Sequence, residues 1–189
     1  MENCRAAWRS SGISYRSERL AGDGQVLTPG LRLPQSGALH AVAAHWTTGT
    51  DRALVVMPTG TGKTEVMIAA TVEAACDRVL IIVPSDALRL QTADRFASYS
   101  VLEKLGTIAG VPNPVVGILS SRPSPEQFAA VEACNVVVAT MSAIGLAGEE
   151  TQKQFAALFS HIFFDEAHHI EAATWKRFQK VIGRANGRL

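Results

Sequence analysis

Very little in this chain points to the outside of a cell or to a membrane. Its three cysteines, Cys4, Cys76 and Cys134, are odd in number and far apart, so they form neither a disulfide framework nor a metal-binding spacing. They fit a reducing interior, with Cys76 and Cys134 as small buried hydrophobic residues. No apolar run approaches the ~20 residues that a membrane-spanning helix needs. We therefore expect a cytoplasmic protein with no membrane partner.

Charge of one sign is also lacking. The 18 basic and 17 acidic residues leave a net charge of +1, which neither requires nor excludes a nucleic-acid partner. A length of 189 residues suits one domain with a sizeable core. Residues 1–30 are rich in Ser, Arg and Gly and contain no apolar core of the kind that a signal peptide needs. We expect them to form a flexible extension before a domain that covers residues 31–189.

Short apolar runs alternate with helix-like segments along that domain. The runs cover residues 53–57, 79–83, 115–119, 136–139 and 161–164. Their apolar character is continuous, as in parallel strands that are covered on both faces. Helix start signals lie between them, including a Ser85 cap before residues 86–99 and a capping box from Ser124 to Gln127. The pattern predicts an α/β fold with a doubly wound parallel sheet, in which ligands bind at the carboxyl ends of the strands.

The stretch Met-Pro-Thr-Gly-Thr-Gly-Lys-Thr at 57–64 has the spacing of a phosphate-binding loop. Two glycines allow the backbone N–H groups to turn towards phosphate oxygens, and the helix that follows adds its own free N–H groups. Lys63 is expected to bridge the β- and γ-phosphates of ATP, and the Thr64 hydroxyl to ligate Mg²⁺. The pattern departs from the usual one at its first position, where Met57 replaces Gly. The expected ATP-contacting residues of the loop are Thr59, Gly60, Thr61, Gly62, Lys63 and Thr64.

The stretch Phe-Phe-Asp-Glu-Ala-His at 163–168 supplies a second set of reactive groups. Asp165 ends an apolar run, so we expect its carboxylate to help hold Mg²⁺ at the strand end. Glu166 is the candidate base that takes a proton from the attacking water, with Lys63 as the other catalytic residue. His168 and His169 lack the spacing of a zinc site. For His168 we expect a role in sensing the bound nucleotide.

Together these two stretches resemble the superfamily 2 helicases and translocases with a DEAD/DEAH box. The resemblance is strongest to the branch that contains the motor subunits of type I and type III restriction enzymes. It covers about residues 31–182 and implies the first RecA-like, P-loop NTPase domain of an ATP-dependent motor. It also implies that ATP and Mg²⁺ are the cofactors. In that family a second RecA-like domain completes the ATPase site, and we expect this domain to lie outside the 189 residues, with the first domain incomplete at its C-terminal end.

The same resemblance assigns residues around the two stretches. Arg32 and Gln35 match an R-x-x-Q element, whose glutamine contacts the adenine edge in the family. Ser85 and Thr140 match family motifs that line the groove for a nucleic-acid backbone, and Arg89 is expected to add positive charge there. Ser85 and Thr140 also suit simple helix caps, and the two roles are compatible. The residues alone leave DNA and RNA open, whereas the restriction-enzyme branch favours DNA.

Three functions therefore compete at this point. The first is the ATP-binding half of a DNA helicase or translocase, which would hydrolyse ATP slowly and not unwind DNA without its second domain. Another is a regulatory or scaffold module that binds a nucleotide without turnover, although Lys63, Asp165 and Glu166 are all present. The third is an unrelated P-loop enzyme such as a small kinase. Gln35, Ser85 and Thr140 argue against that class because such enzymes do not need them.

Overall fold

The computed structural model describes residues 2–49, 52–166 and 178. These residues form two compact units. The P-loop unit contains Glu2–Ala75 and Ser98–Asn113, and the sheet unit contains Cys76–Ala97, residues 114–166 and Phe178.

The P-loop unit is mainly helical. Its elements are α1 (Glu2–Ser11), the antiparallel strands β1 (Arg19–Leu20) and β2 (Val26–Thr28), α2 (Leu33–Thr48) and α3 (Lys63–Glu73). Helix α3 is buried from Thr64 to Val72, so it forms the centre of this unit. Residues 2–30 thus contain regular structure, and the side chains of Cys4 and Trp8 are buried. The structure thus places a helix and two short strands where composition predicted a flexible extension.

The predicted strand at 53–57 is wrong. Residues 52–58 have no regular secondary structure, and the side chains of Leu54 and Val56 are 82% and 84% exposed. An apolar run indicates that a segment prefers burial, but a strand also needs a neighbouring strand to receive its backbone hydrogen bonds. In this structure the phosphate-loop sequence is therefore preceded by an irregular segment, and only the helix after it is as predicted.

The sheet unit has alternating strands and helices, as its sequence predicted. Its elements are β3 (Val79–Val83), α4 (Asp86–Ala97), β4 (Val116–Leu119), a short 3-10 turn (Pro125–Gln127), α5 (Phe128–Glu132), β5 (Val136–Thr140), α6 (Met141–Gly145), α7 (Glu149–Ala157) and β6 (His161–Phe164). All four strands are parallel, in the order β4-β5-β3-β6. Every residue of β3 and β5 is buried, which explains their continuous apolar sequences. The predicted α/β fold with a parallel sheet is confirmed.

The amino ends of these strands are held together by Arg78. Its guanidinium Nη1 donates to the carbonyl of Leu158 at 2.5 Å, and Nη2 donates to the carbonyl of Glu132 at 3.0 Å. Its backbone N–H donates to Oγ of Ser160 at 3.2 Å. Arg78 therefore connects the start of β3 to the segments that end α5 and follow α7. The carboxyl ends of the strands, on the opposite edge, carry none of these contacts.

The carboxyl edge of the sheet collects three of the predicted site residues. Val83 pairs with Thr140, and Ile82 pairs with Phe164, so β3, β5 and β6 end at nearly the same level. Ser85, Thr140 and Asp165 consequently lie at one edge of the sheet unit. Below this edge, apolar side chains from the strands and from α7 form the core. Its largest members include Leu80, Ile82, Phe155, Phe159 and Ile162.

Candidate functional site

The phosphate-loop sequence forms a tight turn in the P-loop unit. Gly60 and Gly62 have φ values of +78° and +90°, which glycine adopts without steric cost. The backbone N–H and the hydroxyl of Thr61 both donate to the carbonyl of Pro58, at 3.3 and 2.6 Å. The turn exposes Pro58, Thr59 and Gly60 to solvent. A chain that turns on two left-handed glycines is what a phosphate cradle requires.

Helix α3 begins directly after the turn. Gly62 occupies the N-cap position and has no side chain that could cap the helix, and its carbonyl accepts the N–H of Val66 at 3.1 Å. The N–H groups of the first turn have no acceptor within a helix, and the helix dipole makes this end positive. Lys63 is half-buried and Thr64 is buried in that first turn. A helix end of this kind is suited to binding an anion such as phosphate.

Arg32 and Gln35, from the start of α2, both contact this loop. Nη1 of Arg32 donates to the carbonyl of Gly60 at 3.4 Å. The Gln35 side chain is buried, and its Nε2 lies too close to Gly62 for a Cβ to be added to that glycine. Its Oε1 accepts the backbone N–H of Arg32 at 2.9 Å, which caps α2. The structure thus brings the R-x-x-Q element and the phosphate loop together, and it uses the Gln35 carbonyl as a helix cap.

The acidic residues lie in the sheet unit, at the end of β6. The backbone N–H of Asp165 donates to the carbonyl of Ile82 at 2.8 Å, which extends the β3–β6 pairing by one step. Glu166 follows with φ of +53°, an unfavourable conformation for a residue with a side chain. Strain of this kind is concentrated at functional sites, where it directs a side chain. Both carboxylates are partly exposed.

Ser85 and Thr140 act as helix caps at the carboxyl edge of the sheet. Oγ of Ser85 accepts the N–H of Leu88 at 3.4 Å, and its side chain is exposed. Oγ1 of Thr140 accepts the N–H of Ala143 at 3.3 Å, lies 3.0 Å from Oγ of Ser142, and is buried. Ser142, which sequence reasoning missed, is exposed beside it. Its proximity to Thr140 in the sequence was the signal that could have identified it.

Arg89 does not have the position that was predicted for it. Its side chain is buried, Nη1 donates to the carbonyl of Leu119 at 3.1 Å, and the same atom lies 2.9 Å from Oδ1 of Asp86. Because Nη1 already contacts a carbonyl and a carboxylate, and the side chain is buried, this nitrogen is not available to an external phosphate. The structure therefore supports a role for Arg89 in joining α4 to β4.

The remaining predicted residues cannot be placed in the same way. His168, like His169, lies outside the described residues. Across the ranges that are described, no group of three or more His, Cys, Asp or Glu side chains could hold a metal ion. Of the predicted oxygen ligands for Mg²⁺, Thr64 belongs to the P-loop unit and Asp165 to the sheet unit. Within the described part of the chain, no helix combines the length and apolar character needed to cross a membrane.

One unit thus contains a parallel sheet with helical connections, and the other contains a loop with a phosphate-binding sequence directly before a helix. Comparison with protein families matches residues 28–186 to the type III restriction enzyme res subunit. The chain therefore belongs to that family of helicase-like ATPase domains. Comparison with curated proteins finds no match.

Two of the solved structures similar to the chain are helicases. The UvsW helicase from bacteriophage T4 matches with a TM-score of 0.59 and 20% identity, over 90% of this chain and 54% of that one. A hypothetical ATP-dependent RNA helicase from Sulfolobus tokodaii matches with a TM-score of 0.57 and 16% identity, over 99% of this chain and 48% of that one. At these identities the likeness shows the fold. The chain spans about half the length of the structures it matches.

Proposed function

We propose that this chain is the Mg·ATP-binding motor domain of a helicase or translocase that acts on DNA. The observation that carries the proposal is the start of α3, where the N-cap residue Gly62 has no side chain to cap the first-turn N–H groups beside Lys63 and Thr64. Arg32 and Gln35 contact the same loop from α2. Membership of the restriction-enzyme family supports DNA as the substrate.

Each reactive group has one role in this proposal. Lys63 binds the β- and γ-phosphates, while Thr64 and Asp165 provide oxygen ligands for Mg²⁺. Glu166 accepts a proton from the water that attacks the γ-phosphate. Gln35 retains a side-chain NH₂ group for the adenine base, since its carbonyl already caps α2. His168 remains the proposed sensor of the nucleotide.

Nucleic-acid binding is assigned to the carboxyl edge of the sheet unit. Ser85 and Ser142 present exposed hydroxyl groups there, next to the amino ends of α4 and α6, and the buried Thr140 hydroxyl lies 3.0 Å from that of Ser142. Such groups bind phosphates without reading the base sequence. Arg89 is excluded from this surface because its guanidinium binds Leu119 and Asp86.

Fast turnover requires more than this domain. An arginine supplied by a second domain is worth ~10³–10⁵ in the rate of phosphoryl transfer. We therefore expect the chain alone to bind Mg·ATP, to hydrolyse it slowly, and not to unwind a duplex. A second RecA-like domain would supply the arginine and the second grip on the nucleic acid.

Calorimetric titration with Mg·ATP tests the proposal. Lys63→Ala removes the phosphate-binding amine and should weaken binding by about tenfold or more, since a hydrogen bond to a charged group contributes about 1.5–3 kcal/mol. Lys104→Ala, at an exposed position of the same unit, is the matched control and should bind like the wild type. A folded wild type that does not bind Mg·ATP would contradict the proposal. Repeating the titration with single-stranded DNA, duplex DNA and RNA tests the substrate.

A further inference from the structure

A buried carboxylate stands next to the phosphate-binding groups and has no role in the function proposed above. Glu65 lies in the first turn of α3, directly after Thr64, and its side chain is only 8% exposed. Oγ of Ser100 donates a hydrogen bond of 2.8 Å to its Oε1. We propose that Glu65 is a positioning residue, held by Ser100, that fixes the phosphate loop for Mg·ATP. This inference rests on the proposed function.

Ser100 is presented to Glu65 by an unusual turn. Tyr99 and Ser100 have φ values of +52° and +53°, and two consecutive left-handed residues with side chains are unfavourable. Interactions elsewhere in the P-loop unit maintain this conformation. The Tyr99 ring is buried, its hydroxyl donates to the carbonyl of Pro112 at 2.7 Å, and its carbonyl accepts the N–H of Leu102 at 3.1 Å. The position of Ser100 is therefore fixed by contacts that do not involve Glu65.

Glu65 also approaches the last glycine of the phosphate loop. A Cβ added to Gly62 would lie 3.1 Å from its Oε2, on the side where Gln35 also lies. Lys63 and Thr64 are the two residues between Gly62 and Glu65. One carboxylate oxygen thus accepts from Ser100, and the other lies beside the glycine that precedes the lysine and the threonine. A displaced Glu65 side chain would leave that segment free to move away from the triphosphate.

The position and the charge of Glu65 have opposite effects on nucleotide binding. Its hydrogen bond with Ser100 orders the start of α3, which favours binding. Its negative charge lies at the helix end that receives another anion, which opposes binding. Glu65→Gln retains a hydrogen-bond acceptor of the same size without the charge, whereas Glu65→Ala removes both. Because both variants are uncharged, the difference in their Mg·ATP affinities reports the contribution of the hydrogen bond with Ser100.

A double-mutant cycle tests the inference in the full 189-residue chain. Mg·ATP affinity is measured by calorimetry for Glu65→Gln and Glu65→Ala, each with Ser100 intact and with Ser100→Gly. Glycine removes the hydroxyl and accepts the left-handed backbone, so any lost affinity comes from the hydroxyl. We expect Glu65→Ala to bind about 5- to 10-fold more weakly than Glu65→Gln. Ser100→Gly should weaken binding in the Glu65→Gln background and leave it unchanged in the Glu65→Ala background.

Parallel melting curves separate positioning from folding. Affinities are taken well below each melting temperature, so a change in stability alone does not alter them. Equal Mg·ATP affinities for Glu65→Gln and Glu65→Ala, or an equal effect of Ser100→Gly in both backgrounds, would overturn the inference and leave the proposed function intact. A folded wild type without Mg·ATP binding would overturn both. Wild-type binding that is lost in Lys63→Ala, together with unequal affinities for Glu65→Gln and Glu65→Ala, supports both.

Discussion

The indole Nε1 of Trp8 donates a 2.7 Å hydrogen bond to the phenolic oxygen of Tyr99. Both residues are 1% exposed, and the Tyr99 hydroxyl in turn donates a hydrogen bond to the carbonyl of Pro112. The Cys4 thiol lies 3.8 Å from the same hydroxyl. This buried network attaches α1 to the segment that carries Ser100. The first residues of the chain are thus part of the P-loop unit.

Replacing Tyr99 with Phe should lower the free energy of unfolding. The substitution leaves the buried Trp8 N–H without its acceptor and the Pro112 carbonyl without its hydroxyl donor. Each such loss costs about 1–3 kcal/mol. Urea denaturation followed by tryptophan fluorescence measures the change. Tyr15→Phe is the control, because the Tyr15 hydroxyl donates to Glu73 in an exposed position, and it should have a smaller effect. Equal effects of the two substitutions would show that the Trp8–Tyr99 network does not persist in solution.

The free energy of unfolding should also decrease at high pH, because the buried phenol of Tyr99 then ionises. Burial raises the pKa of its phenol above the ordinary value, because desolvation disfavours the phenolate. A raised pKa in the folded state means that this contribution is complete below the unfolded pKa of about 10 and is lost as the pH rises further. The free energy of unfolding of the wild type should therefore decline above that pH more steeply than that of Tyr99→Phe. Parallel alkaline curves for the two proteins would contradict this expectation.

The sequence predicts a strand or helix correctly where the residues of that segment alone determine its structure. The bounds of β3 and β6 match the predicted runs because continuous apolar sequence reports burial on both faces. The predicted helix at 86–99 instead ends at Ala97, because Tyr99 and Ser100 adopt left-handed conformations that distant partners stabilise. No pattern near Tyr99 identifies Trp8 or Pro112 as those partners. The strand prediction for residues 53–57 is wrong for a similar reason, since an apolar run does not specify which strand it would pair with.

In the candidate site, too, only the features that depend on neighbouring residues in the sequence could be predicted. The motif at 57–64 identified the loop and the helix start because its glycines and its lysine have a local function. Gln35 stays a predicted adenine contact, and its use as a cap of α2 could not be predicted without knowing where α2 begins. The contacts of Arg89 were not predictable, because nothing in the sequence shows that the Leu119 carbonyl lies within reach. Glu65 was missed, although a carboxylate in the first turn after a phosphate loop is a visible signal.

Arg89→Ala should reduce stability and leave DNA binding nearly unchanged. The substitution removes a buried donor from the Leu119 carbonyl and leaves Asp86 without its ion pair, at a cost of about 1–3 kcal/mol. Ser85→Ala is the matched variant at the same helix, because it removes an exposed hydroxyl from the proposed DNA surface. Urea denaturation and DNA titration of both variants separate the two effects. A large loss of DNA affinity at unchanged stability in Arg89→Ala would restore the original prediction.

Two glycines of the phosphate loop should differ sharply in their tolerance of alanine. Both have positive φ, +78° at Gly60 and +90° at Gly62, so alanine costs about 1–2 kcal/mol at either position from backbone strain alone. Among the described residues, a Cβ at Gly60 would meet no atom within 4 Å, whereas one at Gly62 would collide with the Gln35 amide. Gly62→Ala must therefore displace Gln35 from its capping position and should be the more destabilising substitution, by about 1–2 kcal/mol.

The effect of the collision between a Cβ at position 62 and the Gln35 amide can be measured by removing that amide. In a Gln35→Ala background the amide is absent, so Gly62→Ala should cost no more than Gly60→Ala in the same background. Urea denaturation of the six proteins gives both differences, and Mg·ATP titration shows whether the affinity follows the same order. If Gly62→Ala remains more destabilising than Gly60→Ala without the Gln35 amide, the difference lies in the backbone of the N-cap. The contact between α2 and the phosphate loop would then have no energetic role, since the strain at Gly62 would account for the whole effect.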